Sequence, residues 1–236
     1  MPKQHSKRYR KALEQVDPRN TYPLKAAVEV LAKFPKAKFN ETVEVAFKLG
    51  VDPKQSDQMV RGTVPLPHGS GKTVRVLVFA RNGEAADAAR AAGAEFVGYE
   101  EMIKKCVEGW SDFDVAIATP EAMVEVRKLG KVLGPRGLMP NPKTGTVTED
   151  TAKAVKEVKA GRVEFKLDKA GNVHVPVGKA NFSPAQILEN ARAVIEAVAK
   201  ARPASVKGTF LQSCTLSATM SPPVRIDIRE FVAAAA

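Results

Sequence analysis

The stretch from residue 38 to residue 49 constrains the fold of this chain more than any other feature. Val43, Val45, Phe47 and Leu49 occupy every second position, and polar residues fill most of the positions between them. Because successive side chains of a β-strand point to opposite faces, this alternation predicts a strand with one buried and one solvated face. Comparable stretches occur only after residue 160, so we expect the strand to pair with remote segments and the chain between them to form a separate unit.

Several segments near the end of the chain carry the matching alternation. Residues 162–167 and 173–177 flank the turn-forming sequence 168–172, and this arrangement predicts a β-hairpin. Residues 208–220 and 224–228 predict two further strands of the same kind. We therefore predict an antiparallel sheet that joins both ends of the polypeptide.

The middle of the chain has a different pattern of apolar residues. Apolar strands at 74–79 and 113–118 alternate with short helical segments, which is typical of a parallel sheet covered on both faces. We predict a discontinuous α+β domain, an antiparallel sheet with helices, from residues 1–67 and 160–236. The inserted α/β domain, Rossmann-like with a parallel sheet, occupies residues 68–159.

The positive charge of the chain is unevenly distributed. The sequence has 37 Lys and Arg against 26 Asp and Glu, a net charge of +11. Residues 68–159 contain 14 of the basic and 13 of the acidic residues, so the two outer segments carry the remaining +10. A solvated basic surface is the ordinary interpretation, but so uneven a split favours a polyanionic partner. Charge alone does not distinguish nucleic acid from a membrane surface.

One segment raises the alternative of a nucleotide-binding enzyme. The sequence GSGKT at 69–73 resembles the end of a phosphate-binding P-loop. Leu66 stands where that motif requires its first glycine, and the segment precedes a predicted strand instead of a helix. The inserted domain also lacks a Gly-x-Gly-x-x-Gly motif after its first strand, which argues against this alternative.

Other features predict no cofactor, no metal and no membrane. Two isolated cysteines and three scattered histidines form neither a zinc-binding spacing nor a disulfide framework. No apolar run approaches the roughly 18 residues that a membrane-spanning helix needs. The basic N-terminus has no apolar segment behind it, which argues against a secretory signal. We expect a protein of the reducing cytoplasm.

The non-core faces of the outer-domain strands combine cations with hydroxyl groups. Cations neutralise phosphates, hydroxyls bond to phosphate and ribose, and His174 and Phe39 can stack on a base. Each residue alone also suits an ordinary solvent-facing strand, but together with the charge they favour a polyanion-binding face. The set comprises Lys38, Thr42, Lys48, Arg162, Lys166, His174, Ser213, Thr215, Ser217 and Thr219.

A series of short motifs follows in order along the chain. The motifs are KFNETV at 38–43, SDQ at 56–58, VRG at 60–62, LPHG at 66–69, LGPRGLMPNP at 133–142, KAGR at 159–162 and TM at 219–220. On these motifs the chain resembles the bacterial large-subunit ribosomal protein L-one family over essentially its whole length. Members of that family belong to the mobile stalk beside the tRNA exit site.

This resemblance implies a non-catalytic ribosomal protein with two domains, the first discontinuous. Its partners would be the large ribosomal subunit, a folded site on large-subunit rRNA, exit-site tRNA and its own operon mRNA. It would assist the release of deacylated tRNA and repress translation of that mRNA. An RNA regulator that acts off the ribosome is the remaining alternative.

By position, the resemblance places the main RNA-binding face on the discontinuous domain. The residues implied are Lys38, Phe39, Thr42, Arg162, Lys166, Asp168, Lys169, His174, Ser217, Thr219 and Met220.

Two positions depart from the family pattern. Ser221 stands where the family continues with glycine, and two prolines follow it. Because glycine permits close backbone approach and positive φ, we expect a changed RNA contact at this turn. Leu167 stands where a polar residue is usual, so we expect one hydrogen bond to be missing there.

Overall fold

The computed structural model describes residues 5–81 and 83–234, and these form two compact units. The first, here called the discontinuous unit, combines the chain up to Gly71 with the chain from Val163 onward. The second, the inserted unit, spans Lys72–Arg162. The buried apolar residues of the discontinuous unit form one core, and those of the inserted unit form two clusters.

The described residues contain the following strands and α-helices. The strands are β1 (Thr42–Leu49), β2 (Arg61–Pro65), β3 (Val76–Phe79), β4 (Phe96–Gly98), β5 (Val115–Ala118), β6 (Arg162–Lys166), β7 (Asn172–Lys179), β8 (Leu211–Ala218) and β9 (Val224–Ile226). The α-helices are α1 (Lys7–Leu13), α2 (Leu24–Lys33), α3 (Glu84–Ala91), α4 (Glu100–Val107), α5 (Met123–Val126), α6 (Gly130–Leu133), α7 (Thr151–Lys159), α8 (Pro184–Lys200) and α9 (Arg229–Ala234).

The discontinuous unit is built on a four-stranded sheet in the order β7-β1-β8-β9. β1 pairs antiparallel with both β7 and β8, so the predicted remote partners lie on its two sides. Val45 lies opposite Val175 on one side and Leu216 on the other. Because residues directly opposite each other share a face, these pairs form one continuous apolar surface.

Helices α2 and α8 cover that apolar surface. Ser183 caps α8 by accepting a hydrogen bond from the Gln186 backbone N–H, and Pro184 occupies the first helical position, where it costs no hydrogen bond. Apolar residues of both helices recur at helical spacing and are buried against the sheet. Among residues 5–81 and 83–234, no comparable helical layer covers the opposite face of the sheet, and Lys48, His174 and Arg225 are exposed on it.

The predicted hairpin between residues 162–167 and 173–177 is wrong. β6 pairs with β2 in a separate two-stranded sheet, and the Leu167 N–H donates to the Val60 carbonyl at 2.9 Å. The reason is a contact that no local pattern contains. The ring of Phe165 packs on Gly62, where an added Cβ would come within 2.8 Å of it.

The inserted unit contains a parallel sheet in the order β4-β3-β5. Its central strand is buried along its whole length. Leu77 and Phe79 contribute to one apolar cluster, and Val76 and Val78 contribute to the other. An antiparallel sheet with helices and a separate parallel sheet confirm the predicted fold class.

A buried asparagine in α8 links the segment after β2 to strand β7. Asn190 of α8 is 0% exposed. Its side chain accepts a hydrogen bond from the His68 N–H at 3.0 Å and donates to the carbonyls of Gly69 (3.0 Å) and Val177 (2.8 Å). The amide therefore satisfies the buried Val177 carbonyl and two backbone groups of the segment after β2.

We predict that Asn190→Ala lowers the free energy of unfolding by about 2–4 kcal/mol, because the buried Val177 carbonyl loses its partner and the segment after β2 loses two hydrogen bonds to α8. Urea unfolding followed by circular dichroism measures the change. Lys200→Ala, at the exposed end of the same helix, is the control and should change stability by less than about 0.5 kcal/mol. Equal stability of the two variants would contradict a structural role for Asn190.

Candidate nucleic-acid interface

The uncovered face of the four-stranded sheet, here called the open face, brings polar residues from four strands into rows. The middle row crosses all four strands. Ala46 lies between His174 and Thr215, and Arg225 lies on the far side of Thr215. Paired residues of adjacent antiparallel strands have Cβ atoms about 4.5–5.5 Å apart. One ligand can therefore contact side chains that are far apart along the polypeptide.

The rows on either side of this one add one cation, two hydroxyls and one carboxylate. Lys48 lies opposite Ser213, and Glu44 lies opposite Ser217. The Lys48 ammonium also donates to the carbonyl of Ala170, which ties it to the turn before β7. The open face is thus basic without being uniformly so.

Two threonines interlock at one end of the open face. The Thr42 N–H donates to the Thr219 hydroxyl at 3.1 Å, and the Thr219 N–H donates to the Thr42 carbonyl at 3.0 Å. The Thr219 hydroxyl lies 3.3 Å from the same carbonyl and donates to it. The Lys179 ammonium donates to the Thr42 hydroxyl at 2.8 Å. Backbone and side-chain bonds therefore fix both threonines.

Two apolar side chains flank these threonines in the sequence. Phe39 is 55% exposed and Met220 is 53% exposed, although both are large and apolar. Exposed aromatic and flexible apolar groups beside cations suit stacking on bases. Alternation had placed Lys38 and Phe39 on the first strand, but β1 begins at Thr42 and both residues lie in the bend before it.

Helix α1 reaches this end of the sheet through one arginine. Arg8 forms an ion pair with Glu41 at 3.3 Å and donates to the Met220 carbonyl at 3.4 Å. Glu41 is only 5% exposed, so the arginine compensates a carboxylate that is nearly buried. Arg8 therefore braces the turn that presents Met220.

The other end of the open face is formed by the turn before β7. The Asp168 carboxylate accepts hydrogen bonds from the backbone N–H groups of Ala170 (2.8 Å) and Asn172 (2.7 Å). These bonds, chiefly those from Asn172, hold the pKa of Asp168 below its ordinary value. Its carboxylate shapes the turn, and the adjacent Lys169 is exposed. From Thr42 to Lys48 the face extends about 20 Å at the usual rise of a strand.

Two residues of the sequence-derived set lie in the other, two-stranded sheet. Arg162 and Lys166 belong to β6, so the interpretation that placed them on one sheet with Thr42 is wrong. The Arg162 guanidinium donates to Glu157 at 2.8 Å and to the Thr144 carbonyl. It thereby holds the end of the loop at residues 134–145, a role that its spacing did not predict.

The two departures from the family pattern have simple structural explanations. The Ser221 hydroxyl accepts a hydrogen bond from the Ala218 N–H at 2.9 Å, which closes the turn after β8. No non-glycine residue in the described ranges has a positive φ, so this turn does not require glycine. Leu167 is 5% exposed and packs in the core.

Three residues of the interface were missed by the sequence interpretation. Arg8 and Arg225 are cations next to the predicted set, and Lys179 contacts Thr42 directly. The alternation of Val224 and Ile226 could have placed Arg225 on the polar face. No comparable signal pointed to Lys179, because a bulge in β7 changes its side of the sheet.

The P-loop-like segment does not have the geometry of a phosphate site. It leads into strand β3 and not into a helix, and the Lys72 ammonium pairs with Asp114 at 2.6 Å. Within residues 5–81 and 83–234, no group of three or more metal-binding side chains occurs, and no helix is long and apolar enough to span a bilayer. Both cysteines are buried, and burial raises the pKa of the Cys214 thiol to about 12.

Comparison with protein families places the chain beside a known family. The model described as the ribosomal protein L1p/L10e family matches residues 31–222. The match includes β1 through β8 and the turn at Met220, and it excludes α1 and β9. It therefore covers both units and most of the open face.

We predict that Asp168→Ala destabilises the turn before β7 in a pH-dependent way. The pKa of this carboxylate is lowered in the folded state, so its stabilisation is present above its ordinary pKa of 3.8 and is lost as the pH falls through the lower folded-state value. The difference in urea midpoint between variant and unaltered protein should be largest near neutral pH and should shrink below pH 3.8. Asp57→Ala, at another exposed carboxylate, is the control; a difference that stays constant with pH would contradict this role.

Proposed function

The chain belongs to the ribosomal protein L1p/L10e family, and from that membership we propose that it binds large-subunit rRNA at the mobile stalk through its open face. Membership itself makes the chain a structural protein of the large ribosomal subunit that binds RNA. The family is a structural, non-enzymatic one. The RNA site and the residues that bind it are the proposal, and the geometry of the open face supports it.

The observation that carries the proposal is the end of the open face at Thr42 and Thr219. Polar atoms, cations and two exposed apolar side chains occur together there, and each suits a different part of a nucleotide. Lys38 can neutralise a phosphate, hydroxyls can bond to ribose or phosphate, and Phe39 and Met220 can contact bases. An ordinary solvated strand end has no need of two large apolar groups that are more than half exposed.

The carboxylate on the open face favours recognition of a particular RNA shape. Glu44 lies on β1 between Thr42 and Ala46 of the open face, and it is opposite Ser217 of β8. A carboxylate repels a misplaced phosphate, so an RNA backbone must pass beside this point and not over it. A folded RNA with a fixed backbone path meets that condition better than an arbitrary duplex.

We further propose the two roles in translation that the family resemblance implies. Bound to rRNA at the stalk, the protein assists release of deacylated tRNA from the exit site. Bound to a similar shape in its own operon mRNA, it represses translation. The same open face serves both RNAs, so rRNA and mRNA compete and repression begins only when rRNA sites are filled. Such a protein works in the cytoplasm.

A filter-binding titration against a full-length large-subunit rRNA transcript over a range of salt tests the rRNA site. Cell-free translation of the operon mRNA with added protein tests repression, and added rRNA should relieve it. The rate at which deacylated tRNA leaves the exit site of ribosomes with and without the protein tests the third role. Binding no tighter than to an unrelated RNA of equal length would refute the proposed site.

We predict that Thr219→Val weakens rRNA binding by about 1–3 kcal/mol, because the Thr42 N–H loses its acceptor and the interlock loosens. Thr219→Ser retains the hydroxyl and should bind within about threefold of the unaltered protein. Circular dichroism confirms that both variants fold. Full affinity in Thr219→Val would remove this end of the open face from the RNA site.

We predict that Lys38→Ala weakens rRNA binding and also makes it less sensitive to salt. A lysine that neutralises one phosphate contributes about one unit to the slope of log affinity against log salt. Lys104→Ala removes an exposed lysine from α4 of the inserted unit and serves as the matched control. The control should keep the original slope; the reverse result would place the RNA site on the inserted unit.

A further inference from the structure

The hydrogen bonds at Thr42 differ from those at Thr219 in a way that bears on recognition. A hydroxyl has one proton to donate and two lone pairs that accept. The Thr219 hydroxyl accepts from the Thr42 N–H and donates to the Thr42 carbonyl, so its proton is used within the protein. The Thr42 hydroxyl accepts from the Lys179 ammonium, and within the described ranges it donates to no acceptor.

The position of Lys179 is the result of an irregularity in β7. Val43 lies opposite Gly178, but Glu44 lies opposite Pro176, so Val177 is an extra residue in the pairing. Such a bulge reverses the side to which later residues point. Without it, the alternation of β7 would direct Lys179 toward the core.

Glycine at position 178 leaves room for the ring of Phe182 beside this bulge. The ring of Phe182 packs so closely that an added Cβ at Gly178 would lie 2.9 Å from it. The stem of Lys179 passes close to Gly71, where an added Cβ would lie 3.0 Å from its Cγ. The hydrogen bond to Thr42 places the ammonium at the end of the sheet.

An ammonium group at this place determines how the Thr42 hydroxyl points. Lys179 carries only donor protons, which occupy a lone pair of the Thr42 oxygen at 2.8 Å. The positive charge repels the hydroxyl proton, so the rotamer that directs this proton away from Lys179 is preferred. Thr42 lies on the open face by the alternation of β1, and its proton has no acceptor within the described ranges, so an acceptor would have to come from a ligand on that face.

We propose that Lys179 is a positioning residue that makes Thr42 a hydrogen-bond donor to the RNA backbone. The partner is an acceptor oxygen of phosphate or ribose, because the other side of the hydroxyl is already taken. Thr219, whose proton is used internally, instead fixes the backbone of Thr42. This inference rests on the open face being the RNA site, as proposed above.

The competing explanation is that Lys179 contacts a phosphate itself. In that case its loss and the loss of the Thr42 hydroxyl would be independent, and their effects on affinity would add. Loss of Lys179 would also make binding less dependent on salt, as the loss of any direct phosphate contact does. If Lys179 acts only through Thr42, neither result is expected.

A double-mutant cycle separates the two explanations. Filter binding to the full-length large-subunit rRNA transcript is measured for the unaltered protein, Lys179→Met, Thr42→Val and the double variant. We expect Lys179→Met to weaken binding about 3- to 10-fold, the equivalent of one ordinary hydrogen bond. The double variant should bind within about twofold of Thr42→Val, and the salt slope of Lys179→Met should equal that of the unaltered protein.

Additive losses, a salt slope reduced by about one unit, or unchanged binding in Lys179→Met would each overturn the inference. Lys179→Arg restores a cationic donor and should recover most of the affinity, which loss of folding alone would not predict. Lys200→Met, on the helix that covers the opposite face, is the charge-matched control. If the unaltered protein fails to bind the transcript, the proposed RNA site fails; if it binds and the cycle is additive, only the role of Lys179 does.

Discussion

Burial of the inward face of β1 is the constraint on which the discontinuous unit depends. Val43, Val45, Phe47 and Leu49 are each at most 1% exposed. Full burial of one such side chain contributes about 1.5–3 kcal/mol. This face is buried only when β7 and β8 pair on both sides and α2 and α8 close over the sheet. Because the partners follow β1 by more than a hundred residues, this unit forms through long-range contacts that are slow to assemble.

The open face follows from the same constraint. Helices pack on one side of the sheet, so the alternate residues of β1, β7 and β8 stay uncovered on the other side. The register of β1 against β7 and β8 determines which of these residues are in contact. It places Thr42 within hydrogen-bonding distance of Thr219 and Lys179. The core and the proposed RNA site are therefore two sides of one set of strands. A slip of one residue in either pairing would destroy both at once.

The sequence interpretation was accurate where the structure is governed by local periodicity. Alternation placed His174 and Ser217 on the polar face because a regular strand keeps its period of two. It failed where a remote contact overrides that period. β6 leaves β7 for β2 because the Phe165 ring fits on Gly62, and Arg162 thereby joins a different sheet from the one expected. The assignment of particular RNA-binding residues stays a prediction until binding is measured.

The amino-acid order by itself determined the two-faced strands, the change of rhythm in the middle of the chain, the basic excess of the outer segments and the family motifs. Each of these can be recognised within a short window, because it depends on side-chain period, composition or spacing. Only the tertiary structure decided strand partners, the bulge that turns Lys179 outward, and the internal use of the Thr219 proton. Those features depend on distances between residues that are far apart in sequence, and no local pattern encodes such distances.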